Sequence, residues 1–304
     1  MLTSNQKHFL KSIDDNVLFD EPMKAHTTFK IGGNATAFIN ISSQECLIAL
    51  MDFCKSENIT YYIVGNGSNL LVSDDGIDGV VICLGRKFAN IEVDGTKIIA
   101  QSGALLPKIS AVAAENSLTG LEFASGIPAS LGGAIYMNAG AYGGEMKDVV
   151  KEIEYIDENS QFKTISVTDK TFSYRHSVFT NTNSVILKAT FELKRSNQEE
   201  IKNTVSNLNK KRREKQPSEM PSAGSAFKRP DGYFAAALIE QAGLKGKTVG
   251  GAMVSDKHSG FIVNTGNATA EDVCRLVKHI REVIYDKFKV LLEPEIKIIG
   301  RDWM

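Results

Sequence analysis

Residues 42–57 combine a polar start with apolar positions at helical spacing, which predicts an amphipathic helix. Ser42 or Ser43 can cap its amino terminus. Four apolar side chains fall on one face of this segment: Leu47, Leu50, Met51 and Cys54. The β-branched and aromatic run at residues 61–64 then predicts a short buried strand. A helix that leads into a strand is half of an α/β unit.

Further helices and strands are predicted along the rest of the chain. The expected strands are residues 80–84, 91–93, 97–101, 152–156, 161–165, 184–193 and 296–299. Asp94-Gly95 lies between two of them and is a hairpin signal. The expected helices are residues 106–116, 197–215, 233–241 and 269–288. Thr269 and Asp272 form a capping box at the start of the last helix. This mixture predicts an α+β architecture with short α/β pieces.

Composition and charge narrow the range of functions. A length of 304 residues exceeds most single cores and predicts two or three domains. The net charge of -1 gives no reason to expect nucleic acid or an anionic membrane as a partner. Residues 1–20 lack the apolar core of a secretory signal, and no stretch has the length of a membrane span. We therefore expect a cytoplasmic protein without membrane insertion.

The potential metal ligands are dispersed. No CxxC or HExxH spacing is present among the cysteines and histidines, which are Cys46, Cys54, Cys83, Cys274, His8, His26, His176, His258 and His279. We expect reduced, buried thiols and no catalytic metal.

The turn after the strand at 61–64 is Gly65-Asn66-Gly67-Ser68-Asn69. Glycine and asparagine tolerate positive φ, so successive backbone N–H groups can point into one concavity and bind phosphate. Ser68 and Asn69 add side-chain donors. Leu70 replaces the third glycine of the dinucleotide motif GxGxxG. An ordinary turn at the end of a strand explains this short motif equally well.

A second Gly-rich segment covers residues 124–144. Glycine costs backbone entropy, so its density needs a physical reason. Close approach of the backbone to a large flat ligand is one reason, and tight turns between packed strands are the alternative. A phosphate-binding turn elsewhere in the chain favours the ligand.

The order of these motifs resembles the UDP-N-acetylenolpyruvoylglucosamine reductase family. The matching segments are residues 65–69, Gly126-Ile127-Pro128 with Gly132-Gly133-Ala134, and Asn138-Ala139-Gly140-Ala141-Tyr142-Gly143. The similarity extends from about Thr27 to Gly300. It implies a non-covalent FAD, bound by Gly65, Asn66, Gly67, Ser68, Asn69, Gly126, Ile127, Pro128, Gly132, Gly133, Asn138, Ala139, Gly140 and Gly143.

The resemblance also implies the domain organisation. A two-part FAD-binding fold of the vanillyl-alcohol-oxidase-like type is joined to a smaller α+β substrate-binding domain. The expected ranges are 1–85 for the first FAD subdomain, with 296–304 returning to it, 86–198 for the second, and 199–295 for the substrate domain. Only eight residues, 180–187, separate Phe179 from Lys188, so the resemblance is to the shorter type without a tyrosine-bearing insertion.

Three catalytic residues follow from the resemblance. The segment Tyr174-Arg175-His176-Ser177-Val178-Phe179 places the catalytic arginine at Arg175, and Ser222-Ala223-Gly224-Ser225-Ala226-Phe227-Lys228 makes Ser225 the proton donor. In Leu292-Glu293-Pro294-Glu295-Ile296, Glu295 matches the catalytic glutamate and Glu293 is its rival. Without the resemblance, Arg175 would be taken for a surface strand residue and Ser225 for a loop serine.

The substrate site is implied to include Arg175, Ser225 and Lys215. Lys215 closes a basic run that is otherwise typical of a solvated helix end. Lys257-His258-Ser259-Gly260-Phe261 also matches a family segment, but its role is open.

The implied reaction reduces the enolpyruvyl ether of UDP-N-acetylglucosamine to UDP-N-acetylmuramate for peptidoglycan. NADPH reduces the flavin and leaves, and hydride then passes to the terminal carbon of the enol ether. Arg175 and Glu295 would stabilise the enolate, Glu295 best if protonated, and Ser225 would protonate the adjacent carbon.

Two other functions remain open. One is an FAD oxidase of the same fold that acts on an alcohol or sugar. Many such oxidases attach FAD through a histidine, and residues 51–173 contain none. The other is a nucleotide-binding relative without catalysis, which would have no reason to keep Arg175, Ser225 and Glu295 together.

Overall fold

The computed structural model describes residues 2–14 and 16–303. Met1 and Asp15, within the range expected for the first domain, and Met304, at the end of the closing segment, lie outside the described residues. The chain forms two compact units. The first contains the chain up to Leu18, Ala37–Asn66 and Gly79–Arg212, and the second contains Phe19–Thr36, Gly67–Asp78 and the chain from Arg213 onward.

Helices are distributed along the whole described chain. The α-helices are α1 (Ser4–Ile13), α2 (Gln44–Ser56), α3 (Leu106–Glu115), α4 (Leu131–Tyr136), α5 (Met146–Val149), α6 (Gln198–Lys215), α7 (Ala235–Gln241) and α8 (Ala270–Phe288). Short 3-10 helices cover Met23–Ala25, Arg86–Phe88 and Glu122–Gly126.

Most strands are short. They are β1 (Leu18–Pro22), β2 (Asn34–Asn40), β3 (Tyr61–Val64), β4 (Leu70–Val72), β5 (Ile77–Cys83), β6 (Ile91–Asp94), β7 (Lys97–Gln101), β8 (Leu118–Thr119), β9 (Gly140–Ala141), β10 (Gly144–Glu145), β11 (Val150–Ile156), β12 (Phe162–Ser166), β13 (Phe172–Ser173), β14 (His176–Ser177), β15 (Val185–Glu192), β16 (Lys194–Arg195), β17 (Ser222–Ser225), β18 (Thr248–Val249), β19 (Ala252–Val254), β20 (Phe261–Asn264) and β21 (Lys297–Ile299).

The first unit is built on a five-stranded antiparallel sheet. Its strand order is β12-β11-β15-β7-β6. Buried residues of α3, α4 and the sheet share one apolar core, which includes Ile109, Leu131, Ile135, Ile153 and Phe191. Elsewhere in this unit β3 pairs with β5 in parallel. The core therefore holds α4, which belongs to the second Gly-rich segment, against the sheet.

The second unit contains a four-stranded antiparallel sheet in the order β17-β20-β19-β18. Apolar residues of α7 and α8 form its core, among them Leu238, Ile239, Val273, Val277 and Ile280. The closing strand β21 pairs in parallel with β4. Leu71 of β4 and Ala223 of β17 belong to the same apolar core, so both strands pack within this unit.

Periodicity located the longer elements correctly. The strand predicted at 61–64 is β3, and the predicted helix at 42–57 is α2, where Ser43 accepts a hydrogen bond from the Cys46 N–H at 3.2 Å. The capping box is confirmed, since Thr269 Oγ1 accepts from the Asp272 N–H at 3.0 Å and Asp272 Oδ2 accepts from the Thr269 N–H at 3.1 Å. Helix α1 was not predicted. It buries only Leu10, so its apolar face is too narrow to stand out in the sequence.

The four cysteines are free, and Cys54, Cys83 and Cys274 are buried. Burial raises the pKa of the Cys54 thiol to about 12, which keeps it protonated and unreactive at neutral pH. In the described part of the chain, no helix is both long and apolar enough to cross a membrane. Within the same residues, no group of three or more His, Cys, Asp or Glu side chains could hold a metal ion.

Candidate active site

The glycines of the turn at residues 65–69 are required by close packing. A Cβ at Gly65 would overlap Ser130 Oγ, and one at Gly67 would overlap the His26 carbonyl oxygen. Gly67 also has a left-handed φ of 62°, and it alone among the residues of this described turn has a positive φ. The phosphate-binding role of the turn stays a prediction.

The turn contacts the second Gly-rich segment within the first unit. Asn66 Nδ2 donates a hydrogen bond to the Pro128 carbonyl oxygen at 2.7 Å. Ser130 lies beside Gly65, and a Cβ at Gly133 would be 3.8 Å from the same Ser130 Oγ. Gly133 is exposed at the surface of α4, so its backbone is open to a flat ligand. Two motifs far apart in sequence thus meet around Ser130, a residue that sequence reasoning did not select.

Other residues predicted to bind FAD lie at the edges of this region. Gly132 is on the first turn of α4, where a Cβ would be 3.0 Å from the Ser102 Cβ. Ile127 is half-buried and Pro128 is exposed. Ser68 and Ala139 are half-buried.

Gly126 lies against helix α6 of the same unit. A Cβ there would be 2.8 Å from the Cδ of Arg212 and 2.9 Å from the Oδ1 of Asn209. Arg212 is half-buried, and burial lowers the pKa of its guanidinium, although Tyr142 opposes this effect. In the described part of the chain, no carboxylate forms a salt bridge with Arg212. In the basic run at residues 209–215, Lys211 and Lys215 are exposed but Arg212 is half-buried. The sequence of the run does not indicate this difference.

A tight hairpin presents the third matching segment. Strands β9 and β10 are joined by Tyr142-Gly143, whose φ values are 53° and 90°, and positive φ at both central residues defines the favoured type of hairpin turn. A Cβ at Gly140 would lie 2.6 Å from the Gly144 carbonyl oxygen, so strand pairing requires glycine there. Asn138 precedes this hairpin and is completely buried.

Arg175 lies at the tip of a second hairpin, in the two-residue turn between β13 and β14. Its φ is 53°, a left-handed conformation that costs a residue with a side chain about 1–3 kcal/mol. Its guanidinium Nη2 donates to the Gly140 carbonyl oxygen at 3.3 Å, and its Cζ is 5.1 Å from the centre of the Tyr174 ring. The arginine is half-buried and held at a fixed point of the first unit.

Ser225 and Glu295 are neighbours in the second unit. Ser225 is the last residue of β17 and pairs with Phe261 on β20. The Glu295 N–H donates to the Ala226 carbonyl oxygen at 2.9 Å, and the Glu295 carbonyl oxygen accepts from Asn69 Nδ2 at 3.1 Å. Both predicted catalytic residues are half-buried. The last residue of the Gly-rich turn thus lies beside the segment of the predicted catalytic glutamate.

The rival Glu293 has a different environment. Its carboxylate forms a salt bridge with Lys228 Nζ, and its side chain is 68% exposed. A carboxylate that is solvated and already paired with a lysine offers no protected surface to a substrate. The structure therefore favours Glu295 over Glu293 as the candidate.

The remaining predicted segments are at the periphery of the second unit. Lys215 is the exposed last residue of α6, and Lys257 pairs with Glu219 at 3.2 Å. His258 is half-buried; its Nδ1 accepts from the Gly260 N–H at 3.1 Å, and its ring packs edge-on against Phe261 at 5.0 Å. Burial lowers the pKa of His258. This segment supports Phe261, the strand partner of Ser225.

Two family models match parts of this chain. The family model described as "FAD binding domain" matches residues 35–166, which contain both Gly-rich segments. The model described as "UDP-N-acetylenolpyruvoylglucosamine reductase, C-terminal domain" matches residues 216–299, which contain Ser225 and Glu295. The fold and the matched domains define an FAD-dependent oxidoreductase.

Individual relatives narrow the class. A UDP-N-acetylenolpyruvoylglucosamine reductase from Caldanaerobacter subterraneus subsp. tengcongensis is 52% identical over 99% of this chain and 98% of its own length. One from Clostridium botulinum is 47% identical over 97% of this chain and 98% of its own. The crystal structure of the enzyme from Thermus caldophilus is 35% identical, covers 93% of this chain and 98% of its own, and superposes with a TM-score of 0.79. The chain belongs to the UDP-N-acetylenolpyruvoylglucosamine reductase family.

Several predictions are confirmed by this membership. The α+β architecture with an FAD-binding fold and a further α+β domain is correct, and so are FAD as cofactor and NADPH as reductant. The predicted function, reduction of an enolpyruvyl UDP-sugar, is confirmed for the family, and the oxidase alternative is not supported. Only residues 180–184 separate Phe179 from β15, consistent with the shorter type of chain.

Proposed function

We propose that Arg175, Ser225 and Glu295 carry out the reaction of this family on the enolpyruvyl ether of UDP-N-acetylglucosamine. The product, UDP-N-acetylmuramate, is a precursor of peptidoglycan. The observation that carries the proposal is the 2.9 Å backbone hydrogen bond from Glu295 to Ala226, the residue after Ser225, which brings the segments of Ser225 and Glu295 together. The strained position of Arg175 supports its part, because such strain is concentrated at functional sites.

FAD fits the residues around Ser130. Gly65 and Gly133 leave backbone where a side chain would obstruct a ligand or the packing, and Asn66 fixes the turn against Pro128. Arg212 places a positive charge beside Gly126, suited to an anionic group of a nucleotide. The bound cofactor, once reduced by NADPH, supplies the hydride for the terminal carbon of the enol ether. The protein supplies position and electrostatics.

The three side chains have separate tasks. The planar guanidinium of Arg175 grips the substrate carboxylate, onto which negative charge spreads when hydride is added. Glu295 stabilises the same charge when it is protonated and donates a hydrogen bond. Such donors typically lower a barrier by about 3–4 kcal/mol each. Ser225 delivers the proton to the carbon next to the carboxylate, which completes the two-electron reduction of the double bond.

The outer parts of the site belong to the same proposal. Lys215 contributes positive charge to the substrate site. The proposed division is into FAD subdomains 1–85 and 86–198 and a substrate domain 199–295. The pairing of β21 with β4 supports one part of it, the return of the closing segment 296–304 to the first range. A cytoplasmic location follows from a nucleotide-linked substrate and from reduction by NADPH.

Replacing Glu295 with alanine tests the choice between the two glutamates. We expect reoxidation of the reduced flavin by the enolpyruvyl UDP-sugar to slow by about 10²–10³, because one preorganised donor to the enolate is lost. Glu293 lies two positions before Glu295, and its carboxylate belongs to an exposed ion pair with Lys228. The reoxidation rate of Glu293→Ala should therefore stay at the wild-type value. Stopped-flow absorbance of the flavin measures the reoxidation rate of both variants. A slow Glu293→Ala beside a fast Glu295→Ala would reverse the assignment.

A further inference from the structure

Asn138 is 0% exposed, and its side-chain amide forms hydrogen bonds with other residues of the protein. Nδ2 donates to Glu145 Oε2 at 2.7 Å and to the Ser173 carbonyl oxygen at 3.0 Å. Oδ1 accepts from the Lys147 N–H at 3.0 Å. An amide has two N–H donors, so neither remains for a ligand. A buried polar group satisfied in this way fixes the segments that it joins.

Those bonds converge on the hairpin that carries Arg175. Ser173 directly precedes the two-residue turn, so Asn138 holds the backbone immediately before Tyr174-Arg175. Gly140, two residues after Asn138, accepts the hydrogen bond from the Arg175 guanidinium. The same short segment therefore anchors Arg175 through its main chain and through its charged end.

The other strand of the hairpin has its own anchor. Ser177 is also 0% exposed, and its Oγ donates to the Tyr136 carbonyl oxygen at 2.9 Å. Both strands are thus tied to residues 136–140 by buried polar side chains. A left-handed residue such as Arg175 persists only where its surroundings enforce the conformation. The hydrogen bond from Asn138 supplies part of that enforcement on the side of β13.

We propose that Asn138 is a positioning residue for Arg175, acting on the turn through Ser173 and through the segment that presents Gly140. The inference rests on the proposed role of Arg175. Loss of the amide lets the turn relax and displaces the guanidinium from the carboxylate that it grips. A misplacement of about 1 Å can slow a reaction by about 10²-fold.

The test compares the two half-reactions of the holoenzyme by stopped-flow flavin absorbance. In Asn138→Ala we expect NADPH to bleach the flavin at the wild-type rate, while reoxidation by the enolpyruvyl UDP-sugar slows by about 10- to 100-fold. Asn138→Asp is isosteric and keeps the acceptor for the Lys147 N–H but loses donor capacity, so it should show the same selective slowing. It also serves as the second variant if the alanine protein does not fold.

A double-mutant cycle separates positioning from general damage. If Asn138 acts through Arg175, adding Asn138→Ala to Arg175→Ala should cause no further slowing of reoxidation. Asn264→Ala is the matched control: Asn264 is also buried, and its Nδ2 donates to the Phe29 carbonyl oxygen at 3.1 Å. It should lower stability to urea without slowing reoxidation selectively.

Several results would overturn the inference. These are slowing of both half-reactions by the same factor, unchanged reoxidation in both Asn138 variants, or an equal effect of Asn138→Ala with and without Arg175. A normal reoxidation rate in Arg175→Ala itself would instead contradict the proposed function. The cycle therefore distinguishes failure of the positioning role from failure of the catalytic role.

Discussion

Ser225→Ala is expected to slow reoxidation of the reduced flavin by the enolpyruvyl UDP-sugar by about 10²–10⁴, the usual range for loss of a general acid. The rate at which NADPH bleaches the flavin should not change, because that step requires no proton on the sugar. Ser225 ends β17, and the residue after it, Ala226, accepts a backbone hydrogen bond from Glu295, so the two proposed catalytic residues lie on neighbouring segments. Stopped-flow absorbance of the oxidised flavin resolves the two half-reactions.

The control for Ser225 is on the same strand. Ser222 begins β17 and is half-buried like Ser225, and Ser222→Ala should leave both half-reactions at the wild-type rate. Equal slowing of both half-reactions in Ser225→Ala would contradict the proton-donor role. It would indicate that the hydroxyl matters for folding or cofactor binding instead.

Arg175→Ala should have the second large effect, a slowing of reoxidation by about 10²–10³, because it removes the cation that stabilises the developing enolate. Arg175→Lys keeps the charge but loses the planar pair of donors, so its rate should fall between those of the wild type and the alanine variant. Added guanidinium should partly restore Arg175→Ala, since the space left by the side chain matches that ion. Bleaching by NADPH should be normal in both variants.

Arg195→Ala provides the comparison for loss of one positive charge. Arg195 is exposed on β16 in the same unit, so its removal changes the net charge equally without touching the proposed site. Full activity of Arg175→Ala, or equal slowing in Arg195→Ala, would show that the guanidinium of Arg175 has no specific role.

Periodicity predicted the elements that bury a complete face. Helix α8 was found with its capping box because its apolar stripe is wide and seven of its residues are buried. Strands β3 and β15 were found because they are rich in β-branched residues and continuously apolar or alternating. Strands β13 and β14 have two residues each and are too short to show an alternation of apolar and polar positions. The hairpin around Arg175 could therefore not be predicted from the sequence pattern.

Sequence motifs predicted the residues of the site, but the neighbouring residues that hold them in place could not be predicted. The glycines at 65 and 133 stood out in the sequence, but Ser130, which lies beside both, is an ordinary serine until the chain is folded. Arg212 is indistinguishable from its basic neighbours in sequence and differs from them only by burial. Asn138 was selected as a cofactor contact, and its bond to Ser173 depends on a partner 35 positions away. Such contacts are tertiary, so no local signal specifies them.

Hydride transfer from the reduced flavin to the enolpyruvyl UDP-sugar is tested most directly by a single turnover of the wild-type holoenzyme without oxygen. NADPH is first added until the flavin is bleached, and the enolpyruvyl UDP-sugar is then supplied in excess over the reduced flavin. We expect the absorbance of oxidised flavin to return fully and UDP-N-acetylmuramate to form in an amount equal to the flavin. Reduced flavin that stays bleached until oxygen is admitted, with the sugar recovered unchanged, would contradict it.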